Sequence, residues 1–139
     1  VTPLQMATVA ATVANGGVRV EPHLADQFRD RYGRVKDRVK TSEVEQVISR
    51  RTAARLNEMM QNVVREGTGT AAALAGVNVA GKTGTAEVKG GAANQAWFIG
   101  FAPADNPRYA IAVTVQETTG QGGTVAAPIV RDVFQSLLR

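Results

Sequence analysis

Residues 81–87 read GKTGTAE, and they lie inside a segment, residues 78–88, that we interpret as a β-strand. Two further strands are predicted, a continuous apolar one over residues 96–102 and a third over residues 109–116. The proline-bounded turn at residues 103–107 favours an antiparallel pair for the last two. The GKTGTAE segment is therefore expected to be one strand of an antiparallel sheet.

Three helices are predicted around this sheet. Residues 2–5 (TPLQ) have the form of a capping box with proline at the first helical position, and a helix is expected up to Ala14. Its few polar residues predict that it is mostly buried. Further helices are predicted over residues 49–66 and 126–138. These elements indicate an α+β fold in which helices flank an antiparallel sheet, with residues 1–139 forming part of one domain without an internal boundary.

The predicted core contains residues from the helices and from the apolar strand. Met59 and Met60 are expected in it, and we interpret Trp97 as a packing residue rather than a platform for ligand stacking. The C-terminal helix carries its apolar residues on one side: Ile129, Val130, Val133, Phe134 and Leu137.

Composition excludes several kinds of site. The chain has no cysteine and a single histidine, His23, so disulfides, Cys/His or multi-histidine metal centres and a Cys/His nucleophilic pair are impossible. His23 itself is expected to be structural or exposed. No apolar run approaches the roughly 20 residues of a membrane helix. The chain begins at Val1 without a signal peptide, so we expect a piece whose targeting information lies elsewhere.

The net charge of +4 belongs to one segment. Residues 29–40 hold six basic and two acidic side chains, while the remainder of the chain is balanced. Alternation and turn residues predict an exposed hairpin over residues 18–40. Its charge is compatible with a solvated face, with contact to a neighbouring domain or membrane surface, or with nucleic-acid binding.

Residues 76–83 match the phosphate-loop pattern G-x-x-x-x-G-K-T. A phosphate loop needs a strand before it and a helix after it, so that backbone N–H groups converge on the phosphates. Here the matched segment is itself strand-like, and Gly84, Gly90 and Gly91 follow where a helix should begin. We therefore reject nucleotide binding.

The same residues suit a different ligand when they form a strand. Alternation places the Thr83 and Thr85 hydroxyls on one face, and Gly84 between them allows a ligand to approach the backbone, which suits a carboxylate. Lys82 falls on the opposite face, where it is expected to reach a neighbouring element and supply positive potential or help proton transfer. Periodicity alone favours the alternative, an edge strand with exposed Lys and Thr side chains.

Lys82-Thr83-Gly84 is also the third signature of the penicillin-recognising serine enzymes. Together with residues 2–7 (TPLQMA), 66–71 (EGTGTA), 81–87 and 96–103 (AWFIGFAP), it makes the whole chain resemble the class B penicillin-binding proteins, the monofunctional peptidoglycan transpeptidases. Within that family the chain is most similar to the members found in mycobacteria and related actinobacteria.

This resemblance implies the penicillin-binding protein transpeptidase (β-lactamase-like) fold, of which the chain would be the C-terminal half. It implies that Thr83, Gly84 and Thr85 bind substrate, the two hydroxyls holding the terminal carboxylate of a D-Ala-D-Ala stem peptide or of a β-lactam. The Thr85 N–H would be one of two oxyanion-hole donors, and Lys82 and Thr85 would be catalytic. The resemblance implies neither a cofactor nor a metal.

The other two signatures of the family, S-x-x-K and S-x-N, do not occur in the chain. The chain has three serines, and none is followed by the residues that either motif requires: Ser42, Ser49 and Ser136. The resemblance implies that both motifs lie in an N-terminal half of the same protein, so that this chain alone is inactive. It also implies a location on the extracytoplasmic face of the bacterial plasma membrane, through an anchor absent from this chain. The alternative function is a non-catalytic module that binds through the basic hairpin, although no nucleic-acid partner is expected.

Two further features stay open at this stage. Glu87 is expected either to pair with Lys89 or to line the rim of the cleft. The glycine-containing residues 117–124 either border the site or form a plain connection.

Overall fold

The computed structural model describes residues 1–40, 45–88 and 93–139. Within these ranges the chain forms three α-helices: α1 (Pro3–Ala14), α2 (Arg50–Arg65) and α3 (Ala127–Leu137). It also forms the strands β1 (Val18–Arg19), β2 (Gln27–Arg29), β3 (Val35–Arg38), β4 (Glu45–Gln46), β5 (Ala80–Glu87), β6 (Asn94–Ala102) and β7 (Tyr109–Thr118). A 3-10 turn at Thr70–Ala72 follows α2, and a π-helical turn at Gly122–Ala126 precedes α3. The predicted α+β class is confirmed.

The central sheet has the order β5-β6-β7, and both pairs are antiparallel. All three strands were expected from the sequence, and their bounds shift by at most two residues at each end. In the register, Thr83 lies opposite Phe98 and Thr85 lies opposite Ala96. β5 is thus an edge strand of this sheet.

Helices pack on both faces of the sheet. Phe98 and Phe101 are both fully buried, and their side chains point to opposite faces because they are three positions apart in a strand. Phe98 packs in a core with Val64 of α2 and with α3 through Val130 and Phe134. Phe101 packs in a second cluster with Val13 of α1 and Met60 of α2.

The start of α1 follows the predicted capping box. The Thr2 N–H donates to Gln5 Oε1 (2.8 Å), and the Gln5 N–H donates to Thr2 Oγ1 (3.2 Å). The expectation of a mostly buried helix is wrong, since Leu4 is 61% exposed and Val9 is 49% exposed. α1 covers the sheet with one side only, so its other apolar side borders an open groove of about 720 Å³.

The basic hairpin includes fewer residues than predicted. β2 pairs with β3, whereas β1 pairs with β4. No other described element covers the β2–β3 ribbon, so apolar side chains on it are exposed as well, including Phe28 at 57%. The alternation in the sequence therefore does not mark a buried face here.

The other helices match their predicted bounds closely. The Ser49 side chain caps α2 by accepting from the Thr52 N–H (3.0 Å). Met60 is buried as expected, but the prediction for Met59 is wrong, because it is 61% exposed. Successive helical residues point about 100° apart, so only one of the two can face the sheet. On α3, Val130 and Phe134 are fully buried, and the other predicted apolar residues, Ile129, Val133 and Leu137, are 37–43% exposed.

Candidate active site

The edge strand β5 turns alternate backbone groups away from the sheet. Just beyond β5, the Val88 N–H donates to the carbonyl of Ala93 (3.0 Å), the residue opposite it. Antiparallel partners alternate between bonded and non-bonded pairs, so the even-numbered residues of β5 bond to β6. The N–H and C=O groups of Thr83 and Thr85 therefore face outward from the sheet edge.

The side chains of Thr83 and Thr85 lie on the face of the sheet that packs against α3. Each hydroxyl has a partner from another part of the chain. Thr83 Oγ1 is 2.6 Å from Thr68 Oγ1, in the loop after α2, and Thr85 Oγ1 accepts from the Gly122 N–H (3.3 Å). Thr83 is half-buried and Thr85 is exposed. The predicted pair of neighbouring hydroxyls on one face is confirmed.

The glycine-containing loop of residues 117–124 lies against β5, the strand that carries the two threonines. It is therefore more than a plain connection. A Cβ at Gly122 would collide with the carbonyl oxygens of Trp97 and Gly84. The backbone of the π-helical turn therefore lies directly on the backbone of β5 and β6, at a distance that a larger residue does not allow. Gly122 was not identified from the sequence as a partner of Thr85.

Lys82 contacts its own strand in the described part of the chain. Its ammonium donates to the Thr83 carbonyl (2.8 Å), and its reach to a neighbouring element stays a prediction. The side chain is exposed, and the outward-facing carbonyl beside it is a close acceptor. The positive charge thus stays at the open edge of β5.

Three other residues that were singled out from the sequence are partly or fully exposed. Trp97, opposite Gly84 in the register, is half-buried instead of lying fully in the core. His23 is exposed, with Nδ1 2.8 Å from Ala25 O. Glu87 is exposed, and its suggested partner Lys89 lies outside the described residues.

The geometry of residues 76–83 differs from that of a phosphate loop. Residues 80–87 form a strand where a phosphate loop requires the start of a helix. The matched lysine and threonine are consecutive strand residues, and the rejection of nucleotide binding agrees with this geometry.

The sequence as a whole matches a known family. The model of the "Penicillin binding protein transpeptidase domain" matches residues 1–135. The chain belongs to this family. It is 39% identical to stage V sporulation protein D of Bacillus subtilis, over 99% of this chain and 23% of that protein. It is 38% identical to peptidoglycan D,D-transpeptidase PbpA of Mycolicibacterium smegmatis, over 99% of this chain and 29% of that protein.

Solved structures of penicillin-binding protein A from Mycobacterium tuberculosis have the same fold. One matches with a TM-score of 0.90 and 34% identity, over 100% of this chain and 33% of that one. An imipenem acyl-enzyme complex of the same protein matches with a TM-score of 0.86 and 35% identity, over 100% of this chain and 31% of that one. The predicted resemblance to class B penicillin-binding proteins, and to the mycobacterial members among them, is confirmed. The chain spans between about a quarter and a third of the length of these relatives.

Proposed function

We propose that this chain forms part of the active site of a serine D,D-transpeptidase that cross-links peptidoglycan stem peptides and is acylated by β-lactams. One observation carries the proposal: in a chain of this family, the edge strand β5 presents two threonine hydroxyls and an outward-facing backbone N–H within a few residues. Residues 1–139 would be part of a single transpeptidase domain.

The hydroxyls of Thr83 and Thr85 are the proposed binding groups for the terminal carboxylate of the stem peptide or β-lactam. Both lie on the same face of β5, and Gly84 between them adds no side chain. A hydrogen bond to a charged group contributes about 1.5–3 kcal/mol, so two such bonds can orient a carboxylate firmly. Lys82 adds a positive charge at the same edge.

The Thr85 N–H is the proposed oxyanion-hole donor. It points away from β6, so no sheet partner competes for it. A donor of this kind stabilises the negative charge that develops on the reacting carbonyl oxygen in the tetrahedral transition state. Its loss typically raises the barrier by about 2.7–4 kcal/mol.

The nucleophile belongs to another part of the protein in this proposal. The chain contains neither S-x-x-K nor S-x-N and spans about a third of penicillin-binding protein A. An N-terminal half of the domain would supply the serine, the lysine that activates it and the second serine. The serine oxygen would attack the peptide carbonyl between the two D-alanines, release D-alanine, and pass the acyl group to an amine on a neighbouring peptidoglycan strand.

We also propose that the protein acts on the extracytoplasmic face of the bacterial plasma membrane. Peptidoglycan strands, the substrate of this reaction, lie on that side. Among the described residues no helix is both long and apolar enough to cross a membrane. The anchor that we propose is a segment outside this chain.

Covalent labelling tests the proposed division of the site. A single polypeptide that joins this chain to an N-terminal half carrying S-x-x-K and S-x-N should be labelled by fluorescent penicillin, and prior treatment with unlabelled penicillin should block the label. Residues 1–139 alone should stay unlabelled, because they lack the serine. Labelling of residues 1–139 alone, or equal labelling of the N-terminal half without this chain, would contradict the proposal.

A further inference from the structure

Thr68 is a side chain of the candidate site to which the proposed function gives no role. It lies in the loop that joins α2 to the 3-10 turn, and its hydroxyl oxygen is 2.6 Å from that of Thr83. The next residue, Gly69, holds the loop in place, because its N–H donates to the Val63 carbonyl of α2 (2.9 Å) and it is buried against Phe98.

The π-helical turn also contacts the Thr68 loop. A Cβ at Gly123 would collide with the Thr68 carbonyl and would lie 3.7 Å from Thr83 Cγ2. Thr68 therefore contacts both β5 and the π-helical turn, although the residue remains exposed. Its position beside Thr83 is set by these contacts and by the attachment of Gly69 to α2.

The protons of the two site hydroxyls are controlled by different partners. A threonine hydroxyl has one proton to donate and also accepts. Thr85 accepts from the Gly122 N–H, a group that can only donate, so the proton of Thr85 is free for a ligand. Thr83 keeps its own proton free only when Thr68 is the donor in the pair that they form.

We propose that Thr68 is a positioning residue that donates to Thr83 and thereby directs the Thr83 proton toward the carboxylate of the ligand. The inference rests on the proposed function of Thr83. A bound anion favours the chain from Thr68 to Thr83 to carboxylate, because every proton in it then points toward the negative charge, and such chains strengthen each other. By donating to Thr83, Thr68 leaves the Thr83 proton available to the ligand, just as the Gly122 N–H leaves the Thr85 proton available.

The test uses the complete transpeptidase domain and the second-order rate constant of acylation by a fluorescent penicillin. Thr68→Val should lower this constant about threefold to tenfold, the effect of one hydrogen bond between neutral groups, and Thr68→Ser should restore it. In a Thr83→Val background, Thr68→Val should produce no further loss, because its effect passes through the Thr83 hydroxyl. Thr70→Val, an exposed threonine two positions away, is the matched control and should leave the rate unchanged.

The outcomes separate the inference from the proposed function. A wild-type rate in Thr68→Val, or losses from Thr68→Val and Thr83→Val that multiply, would overturn the role of Thr68 while the proposed function stands. A wild-type rate in Thr83→Val would overturn the proposed carboxylate contact itself, and the role of Thr68 with it. If Thr68→Val lowers the melting temperature, Thr68→Ala removes the same hydroxyl with a smaller side chain, and the same criteria apply.

Discussion

A Phe98→Ala variant is expected to lose about 3–5 kcal/mol of unfolding free energy, the usual cost of removing a buried aromatic ring. Phe98 is fully buried and lies opposite Thr83 in the sheet. Its ring fills a space left by glycines: a Cβ at Gly81 would collide with it, and one at Gly69 would lie 3.2 Å from its Cε2. Since these glycines leave no side chain to move inward, the cavity would remain open below Thr83 and the Thr68 loop.

Urea denaturation of the complete domain measures this loss. Phe28→Ala is the matched control, because Phe28 is 57% exposed on the β2–β3 ribbon and should change the stability by no more than about 0.5 kcal/mol. If both phenylalanine variants lost the same small amount of unfolding free energy, Phe98 would not be central to the core that it forms with α2 and α3.

Replacing Thr83 or Thr85 by valine is expected to slow acylation by penicillin about 10-fold to 100-fold for each threonine, as expected for a hydrogen bond to a charged carboxylate. Valine keeps the branched shape of threonine, so the loss measures the hydroxyl. The Thr85 backbone N–H is retained in both variants, and residual labelling should therefore persist. Because the two hydroxyls are proposed to share one carboxylate, the double variant should lose less than the product of the single losses.

The measurement is the second-order acylation rate constant of each folded variant of the complete domain. Glu87→Gln serves as the control on the same strand, since Glu87 is exposed and its odd position places it on the same face as the two threonines. An unchanged rate in both threonine variants would show that β5 does not hold the carboxylate.

The features that the sequence predicts well depend on neighbours along the chain. The capping box of α1 joins residues three positions apart, and the period of a strand places Thr83 and Thr85 on one face. These local rules were sufficient to predict the helices, the three strands of the sheet and the hydroxyl pair. The family resemblance then gave the hydroxyls a chemical role, which stays a prediction for this chain.

The features that the sequence does not predict depend on distant parts of the chain. Thr68 is 15 positions from Thr83, and Gly122 is 37 positions from Thr85. Neither distance corresponds to a strand or helix period, although Thr68 belongs to the EGTGTA segment that carried part of the resemblance. Periodicity also cannot tell which side of α1 meets the sheet, so the exposure of Leu4 and Val9 was missed.

The prediction of how the short strands pair was wrong for a similar reason. Alternation predicts that Val18 and Arg19 belong to the basic hairpin, but they pair with Gln46 and Glu45 instead. An ion pair between Arg19 and Glu45 (3.2 Å) accompanies this pairing. Register over two residues is set by the elements on either side, here the ends of α1 and the start of α2, and not by the strand pattern itself.

The most direct test of the proposed site is a crystal structure of the complete domain acylated by a penicillin. We expect the penicillin carboxylate to lie within about 3.2 Å of the hydroxyl oxygens of Thr83 and Thr85. We also expect the acyl carbonyl oxygen to lie about 2.7–3.1 Å from the Thr85 backbone nitrogen. A carboxylate bound away from β5, or an acyl oxygen that points away from the Thr85 N–H, would contradict the role assigned to this strand.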